Sequence, residues 1–448
     1  MAATLSFDRL RSILVATVTH LPDYRTRPNT VYLMADAALG AFAVFFMQSP
    51  SFLAHQRDMQ RIKGQNNAQS LFDIDQVPSD PQMRNLLDPI APEHLAPPFW
   101  QVFTQLRDGD YLKAYQGWLG PWLCALDGTQ YFSSQKIHCA QCTTRVVNER
   151  TYYAHTLVAP LIVAPGETRV IALEPEFVRP QDGGEKQDCE LRAAARWLKR
   201  NASRFPPSAL TLLGDDLYCH QPFCELVLQL HCHFAFTCKP DSHPALYEEI
   251  ALLTQAGGVN VVSERRWNGQ RYEIWRYRYA TRLPLRADTQ PLYVNWCEVM
   301  ITAEGTGALI YRNAWATDHA LNEQTLRPFV VAARTRWKSE TENNNVLKHY
   351  GYHLDLRQLR PRPAVLALLL VLLNLLAFLF HTVLDLCDAQ YRRVRAELAT
   401  RQTFFNDVQA LTRYRYFASW QVLINFMFTR LELDTSAPSP PRKRAKRR

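Results

Sequence analysis

Residues 364–384, AVLALLLVLLNLLAFLFHTVL, carry no charge, and no other stretch restricts the fold as much. A helix of this length can cross a bilayer. A helix that is apolar all round has one other home, the middle of a core large enough to cover every face. Asn374 and His381 lie inside the stretch, and each needs a hydrogen-bond partner if buried. Arginines flank both ends, Arg360 and Arg362 before, Arg392 and Arg393 after, so the charge asymmetry that orients a membrane span is missing. The chain has 448 residues, 47% of them hydrophobic, enough to build a core around such a helix. The expectation is a buried central helix; a membrane-anchored protein with its span at 364–384 is the alternative.

Lys and Arg total 51 against 42 Asp and Glu, a formal net charge of +9. An excess of this sign favours polyanionic partners such as nucleic acid or an acidic membrane surface. The 10 cysteines are too sparse for a disulfide scaffold. The opening MAATLSFDRLRSILVATVTHLPDYR has a short apolar run and no small-residue cleavage site behind it. Reduced thiols in a cytosolic chain are therefore expected.

Residues 1–115 read as helical, with Pro-marked joints at LPDYRTRPN, VPSDPQ and APEHLAPPF. Strand patterning begins at Pro121: PWLCALDGTQYF ends a first strand at Asp127, residues 151–165 form a second and residues 168–178 a third. After RPQDGGEKQD, a polar loop containing Asp182, Asp188 is placed to cap the helix CELRAAARWLKRN. A strand at ALTLLG, a helix at QPFCELVLQLH and a strand at CHFAFTC follow. Residues 241–325 are β-rich, with Asn268-Gly269 as a hairpin signal. Helical patterning resumes at residues 321–355 and, beyond the apolar helix, continues towards Leu433. The end, DTSAPSPPRKRAKRR, is Pro/Ser-rich and basic and reads as a disordered tail.

The strand ALTLLG runs into two adjacent acids, Asp215 and Asp216. A buried charge is costly unless it is paired or holds a metal, although a Gly-Asp turn would account for one of them. Three strands in a meander, then helix, strand, helix, strand, is the order of a ribonuclease-H-like core. In that α/β fold the first and fourth strands are neighbours, so Asp127 and Asp215 would face each other across a metal.

Taken together, these segments resemble the DDE transposases of bacterial insertion sequences, specifically the insertion-sequence-four group. LDGTQYF is similar to the first-aspartate motif. GDDLY is similar to the second, usually Asp-Arg-Gly-Tyr, which puts Asp215 in the catalytic slot and Asp216 in the variable one. RWKSETENNNVLKHYGYHLD is similar to the glutamate region Tyr-x2-Arg-x3-Glu-x6-Lys. Arg336 and Glu340 keep the spacing, Ala333 stands at the Tyr position, Leu347 at the Lys position, and Lys348 follows one residue late. On an α-helix four residues advance about 400°, so Arg336 and Glu340 lie within about 40° of each other, whereas Glu342 lies about 240° round. That geometry favours Glu340 over Glu342. The resemblance covers about residues 115–390.

The resemblance implies a ribonuclease-H-like core interrupted by a β-rich insertion, with mainly helical N- and C-terminal regions. The layout would be a DNA-end-binding region over 1–115, core segments over 116–240 and 326–400, the insertion over 241–325, and a C-terminal helix with the basic tail over 401–448. It implies a transposase that cuts transposon-end DNA by two-metal hydrolysis and joins the 3′-hydroxyl to target DNA. Asp127, Asp215 and Glu340 would hold two Mg²⁺ ions, with Mn²⁺ as a substitute. Such ions sit about 3.5–4 Å apart and suit hard oxygen ligands. The implied partners are the terminal inverted repeats and target DNA, bound by a dimer, in the bacterial cytoplasm at the nucleoid, with no membrane.

The basic and aromatic run RRWNGQRYEIWRYRYATR, residues 265–282, is the strongest nucleic-acid surface in the sequence. As a strand it places Arg271, Glu273, Trp275, Tyr277 and Tyr279 on one face and Tyr272, Ile274, Arg276 and Arg278 on the other. Arg265, Arg266, Arg276 and Arg278 would bind phosphates, joined by Arg336 and Lys348. By the resemblance Trp275 or Trp296 would stack on a flipped base. An ordinary solvated hairpin is the plain alternative. HCAQC, residues 138–142, has Cys-x2-Cys metal spacing, and His155 or Cys189 are candidate further ligands for zinc; no second Cys-x2-Cys follows. His220, His231 and His233 read as strand-flanking residues. A catalytically inactive, transposase-derived DNA-binding protein is the rival reading, and it predicts a broken acidic triad.

Overall fold

The computed structural model describes residues 5–26, 31–59, 66–117, 119–180, 188–354 and 364–434; Asp182, Arg360, Arg362 and the basic tail lie outside them. Helices α1 (Phe7–Val18), α2 (Met34–Phe46), α3 (Phe52–Met59), α4 (Asn67–Phe72), α5 (Asp80–Leu87) and α6 (Pro97–Asp108) come first. Local chemistry sets their starts. Ser6 and Asn66 accept backbone N–H groups at the heads of α1 and α4, and α5 and α6 begin with Pro in the first turn.

The strands follow: β1 (Trp122–Ala125), β2 (Gly128–Ser134), β3 (Thr143–Val147), β4 (Arg150–Val158), β5 (Leu161–Val163), β6 (Ile171–Ala172) and β7 (Glu176–Val178). Then come α7 (Glu190–Asn201), β8 (Leu210–Gly214), α8 (Gln221–Gln229), β9 (His233–Thr237) and α9 (Pro244–Gln255). The insertion supplies β10 (Asn260–Trp267), β11 (Tyr272–Pro284), β12 (Tyr293–Ala303) and β13 (Leu309–Thr317). The main sheet has the order β10-β11-β12-β13-β9-β8-β1-β5-β6, and β2-β4-β3 form a second sheet in which β7 also pairs with β4.

At the centre β1 is parallel to β8, and β8 to β9, while β5 is antiparallel to both β1 and β6. The central strands WLCA, LTLLG and HFAFT are unbroken apolar or β-branched runs, apart from His233 at the edge, as strands covered on both faces require. The second and third expected strands each divide. Residues 151–165 become β4 and β5 around Pro160, and residues 168–178 become β6 and β7 around Pro175. The insertion also contains a helix, α9, and it extends the same sheet, because β13 pairs antiparallel with β9.

The chain ends with α10 (Glu323–Ala333), α11 (Asn345–His349), α12 (Ala364–Cys387), α13 (Ala389–Glu397), α14 (Arg401–Tyr414) and α15 (Trp420–Arg430). Of these, α12 is the helix long and apolar enough to cross a membrane, and every residue from Leu366 to Leu384 is buried inside the protein. It packs on α2, α5, α6, α13 and β6. Phe42 meets Phe380 edge-on, and His381 stacks on Phe46 at 3.9 Å between centroids. Its polar residues find partners. Asn374 donates to the Tyr352 carbonyl, and His381 bridges the Tyr391 hydroxyl and the Phe46 carbonyl.

Candidate active site

The chain leaves β1 at Asp127 and β8 at Asp215, on neighbouring parallel strands. The register pairs Ala125 with Leu213, so two more residues set the aspartates side by side at the C-terminal strand ends. Glycine flanks each acid for a steric reason. A Cβ on Gly128 would collide with the Glu190 carboxylate, and one on Gly214 would come within 2.8 Å of the Tyr218 ring.

Glu190, at the start of α7, is a member of this cluster that sequence reasoning did not single out. Its carboxylate accepts the Gly128 N–H at 2.9 Å and the Tyr218 hydroxyl at 2.7 Å. Burial raises its pKa, and the charge of Asp215 raises it further. An acid in the first turn of a helix is common for helix-dipole reasons alone, so its position carried no signal. Asp188, expected as the cap of that helix, turns away. It accepts the Arg179 N–H and pairs with Arg196 at 2.7 Å, and the cap residue is Cys189.

The third acid arrives on an irregular helix. After α10 the backbone tightens to a 3-10 turn at Arg334–Trp337 and then widens to a π-helix at Ser339–Asn344. Such π segments are often found at functional sites. Ser339 Oγ lies 3.2 Å and Asn344 Nδ2 2.8 Å from Asp127 Oδ2, each donating to it. Arg336 meets Glu340 at 3.0 Å, the pairing that their spacing anticipates. Burial lifts the Asp127 carboxyl to about 6; the Arg336 charge opposes this, while Glu190 and Glu340 add to it. Glu342 points to a different place, a cavity of about 660 Å³ that it lines with Glu167 and Arg169.

The two aspartates of the second motif separate cleanly. Asp216 is occupied by structure: it accepts the Lys239 N–H at 2.7 Å and the Ser242 hydroxyl, and it lies 3.5 Å from His243. The Asp215 carboxylate accepts only a local N–H, from Leu217 at 2.9 Å, among the hydrogen bonds of the described residues, and its charge acts on Glu190 and Tyr218. The charges of Glu190 and Glu340 act on Asp127 and that of Asp215 on Glu190, but among the described residues these acids do not form a group with ligand oxygens within 4.8 Å of one another, and Glu340 is held outward by Arg336.

The cations expected on the insertion are mostly matched by carboxylates. Arg265 pairs with Glu304 at 2.6 Å and stacks on Tyr272, Arg266 pairs with Glu264, and Arg278 reaches Glu298 at 3.2 Å. Arg276 is exposed. Trp296 corrects the expectation of a base-stacking ring there. It is fully buried, with Nε1 facing the Tyr247 hydroxyl at 3.4 Å, so a base cannot reach it. Trp275 fits better. It lines a groove of about 480 Å³ together with Tyr311, Arg334, Arg336 and Trp337. Arg334, not picked out from the sequence, lies over both the Trp275 and Tyr311 rings. Lys348 is half-buried on α11, beyond the π-helix. No family model and no curated protein matches this chain.

Proposed function

We propose that this protein is a DNA transposase, which hydrolyses a phosphodiester at the end of a mobile element and joins the freed 3′-hydroxyl to target DNA. One observation carries the reading: Asp127 and Asp215 stand at adjacent parallel strand ends, with Glu190 and the Arg336–Glu340 pair within electrostatic reach of Asp127. The strand order β6-β5-β1-β8-β9, with β5 running against its neighbours, supports a ribonuclease-H-like core. The insertion enters between β9 and the glutamate helix, the interval in which the resembled group carries its own.

Asp127, Asp215 and Glu340 offer the carboxylate oxygens that Mg²⁺ takes, and they would have to draw closer together to hold two such ions. The cluster is rich in carboxylate oxygens, and burial makes the Asp127 charge costly without a compensating cation. When bound, such ions supply charge stabilisation and a more acidic water. The protein's own groups prepare the site. Ser339 and Asn344 fix the Asp127 carboxylate, and Tyr218 with the Gly128 N–H fixes Glu190. Arg336, paired with Glu340 and acting on Asp127 by its charge, would be the nearest cation for a phosphate bound there. The groove lined by Trp275, Tyr311, Arg334, Arg336 and Trp337 would offer aromatic faces to unpaired bases. In hydrolysis water attacks phosphorus and the 3′-oxygen leaves; in joining, that 3′-hydroxyl attacks a target phosphodiester and displaces its 3′-oxygen.

The test uses labelled DNA carrying the sequences that flank this coding region, incubated with protein and Mg²⁺. Nicking at a fixed position that Asp127→Asn abolishes, with binding retained, is the expected result. Cleavage that survives Asp127→Asn rejects the reading.

A further inference from the structure

The Cys-x2-Cys at Cys139 and Cys142 has no part in the reaction proposed above, yet the second sheet completes it. Thr143 of β3 pairs with Ala154 of β4, which sets Cys142 beside His155. The turn before β3 brings Cys139 to the same point, and its N–H donates to Cys142 Sγ at 3.4 Å. The sulfurs lie 3.7 Å apart, and His155 Nε2 is 3.3 Å from Cys139 Sγ and 3.4 Å from Cys142 Sγ. A tetrahedral zinc ion with bonds of about 2.3 Å to sulfur and about 2.0 Å to nitrogen has ligand edges of about 3.8 and about 3.5 Å. The observed triangle matches those edges, whereas a disulfide requires about 2.0 Å between sulfurs.

The ring is placed to ligate: His155 is 1% exposed, with Nε2 turned to the two thiols. Tyr131 stacks along it at 5.6 Å. The surroundings need a cross-link. Beyond Thr143, β3 is exposed throughout, so its outer half has little apolar core to hold it.

We propose that Cys139, Cys142 and His155 bind a structural zinc ion that fastens the β2–β3 connection to β4, with water or a further side chain in the fourth position. Because β2 begins at Gly128, directly after Asp127, the ion anchors the strand that leaves the carboxylate cluster. Cys189, the other thiol considered from the sequence, is exposed and stands outside this group.

The test is zinc content and Co²⁺ spectroscopy on the purified full chain. Wild type should carry one zinc per chain at this site and, after exchange, show thiolate-to-cobalt charge-transfer bands with tetrahedral d–d bands. Cys139→Ser should lose that equivalent. Cys219→Ser, in a separate cluster with Cys238 and His243, should keep it. Cys142→His, which preserves three ligands, guards against a folding artefact: it should keep the metal with weaker charge transfer and shifted d–d bands. A folded wild type that takes up neither metal overturns the proposal. So does cobalt absorption unchanged in Cys142→His, or zinc lost with Cys219→Ser and kept with Cys139→Ser.

Discussion

Asp127 sits at the end of a buried strand with two neighbouring acids acting on it, and its carboxyl rises from 3.8 to about 6. The folded state therefore binds this proton more tightly than the unfolded chain does. Stability held below about pH 4 is lost as pH rises through about 6, and the ionised group then costs roughly 2–3 kcal/mol in metal-free protein, at about 1.4 kcal/mol per unit. Asp127→Asn should accordingly raise Tm at pH 8 in chelator, with the gain fading towards pH 4, and Mg²⁺ should stabilise wild type more than the variant. Thermal denaturation across pH checks this; an equal or lower variant Tm at pH 8 contradicts it. Asp127 and Asp215 were legible because each ends an apolar strand beside a glycine. Glu190 was not, since a helix N-terminus attracts acids anyway, and Asn344 was not, since a π-helix turns it by an amount that α-helical spacing does not describe.

The apolar helix α12 shows how an element is assigned by what surrounds it. Its composition fits a membrane or a core equally; its neighbours α2, α5, α6, α13 and β6 decide for the core, because Leu366 to Leu384 are all buried. Leu370 is 2% exposed, so a charge there would be cut off from water. Leu370→Asp should cost upwards of about 4 kcal/mol, seen as aggregation or loss of the cooperative transition. A soluble variant with near wild-type Tm would contradict the buried packing. The divided strands were legible in principle, since Pro160 and Pro175 mark both breaks by removing a ladder donor. The exposed strand β3 carried too short a pattern to be found.

At the scale of the whole molecule, the insertion prolongs the central sheet, and the N- and C-terminal helices close around α12. The sequence marked the insertion by its β-rich patterning, but it could not show which arginines meet carboxylates across strands, because pairing depends on register. Glu264, Glu298 and Glu304 now account for Arg266, Arg278 and Arg265. Exposed Arg276 and ring-stacked Arg334 should therefore dominate phosphate binding. Arg276→Ala should lower the salt slope of DNA binding by about one unit and weaken specific and random DNA alike. Arg278→Ala should change it less, because DNA must first displace Glu298. Binding titrated against salt distinguishes the two, and equal slopes for both variants and wild type would remove the insertion from the DNA-binding surface.

The most direct measurement is the single-turnover cleavage rate of end-containing DNA in Mg²⁺ for a panel of variants, with DNA affinity measured in parallel. Asp127→Asn, Asp215→Asn and Glu340→Gln should each lose cleavage by about 10³-fold or more while binding holds. Asp216→Asn and Glu342→Gln, whose carboxylates face elsewhere, should retain most of it. Normal cleavage by Asp215→Asn beside a dead Asp216→Asn, or wild-type rates across the panel, would contradict the assignment of this cluster as the catalytic centre.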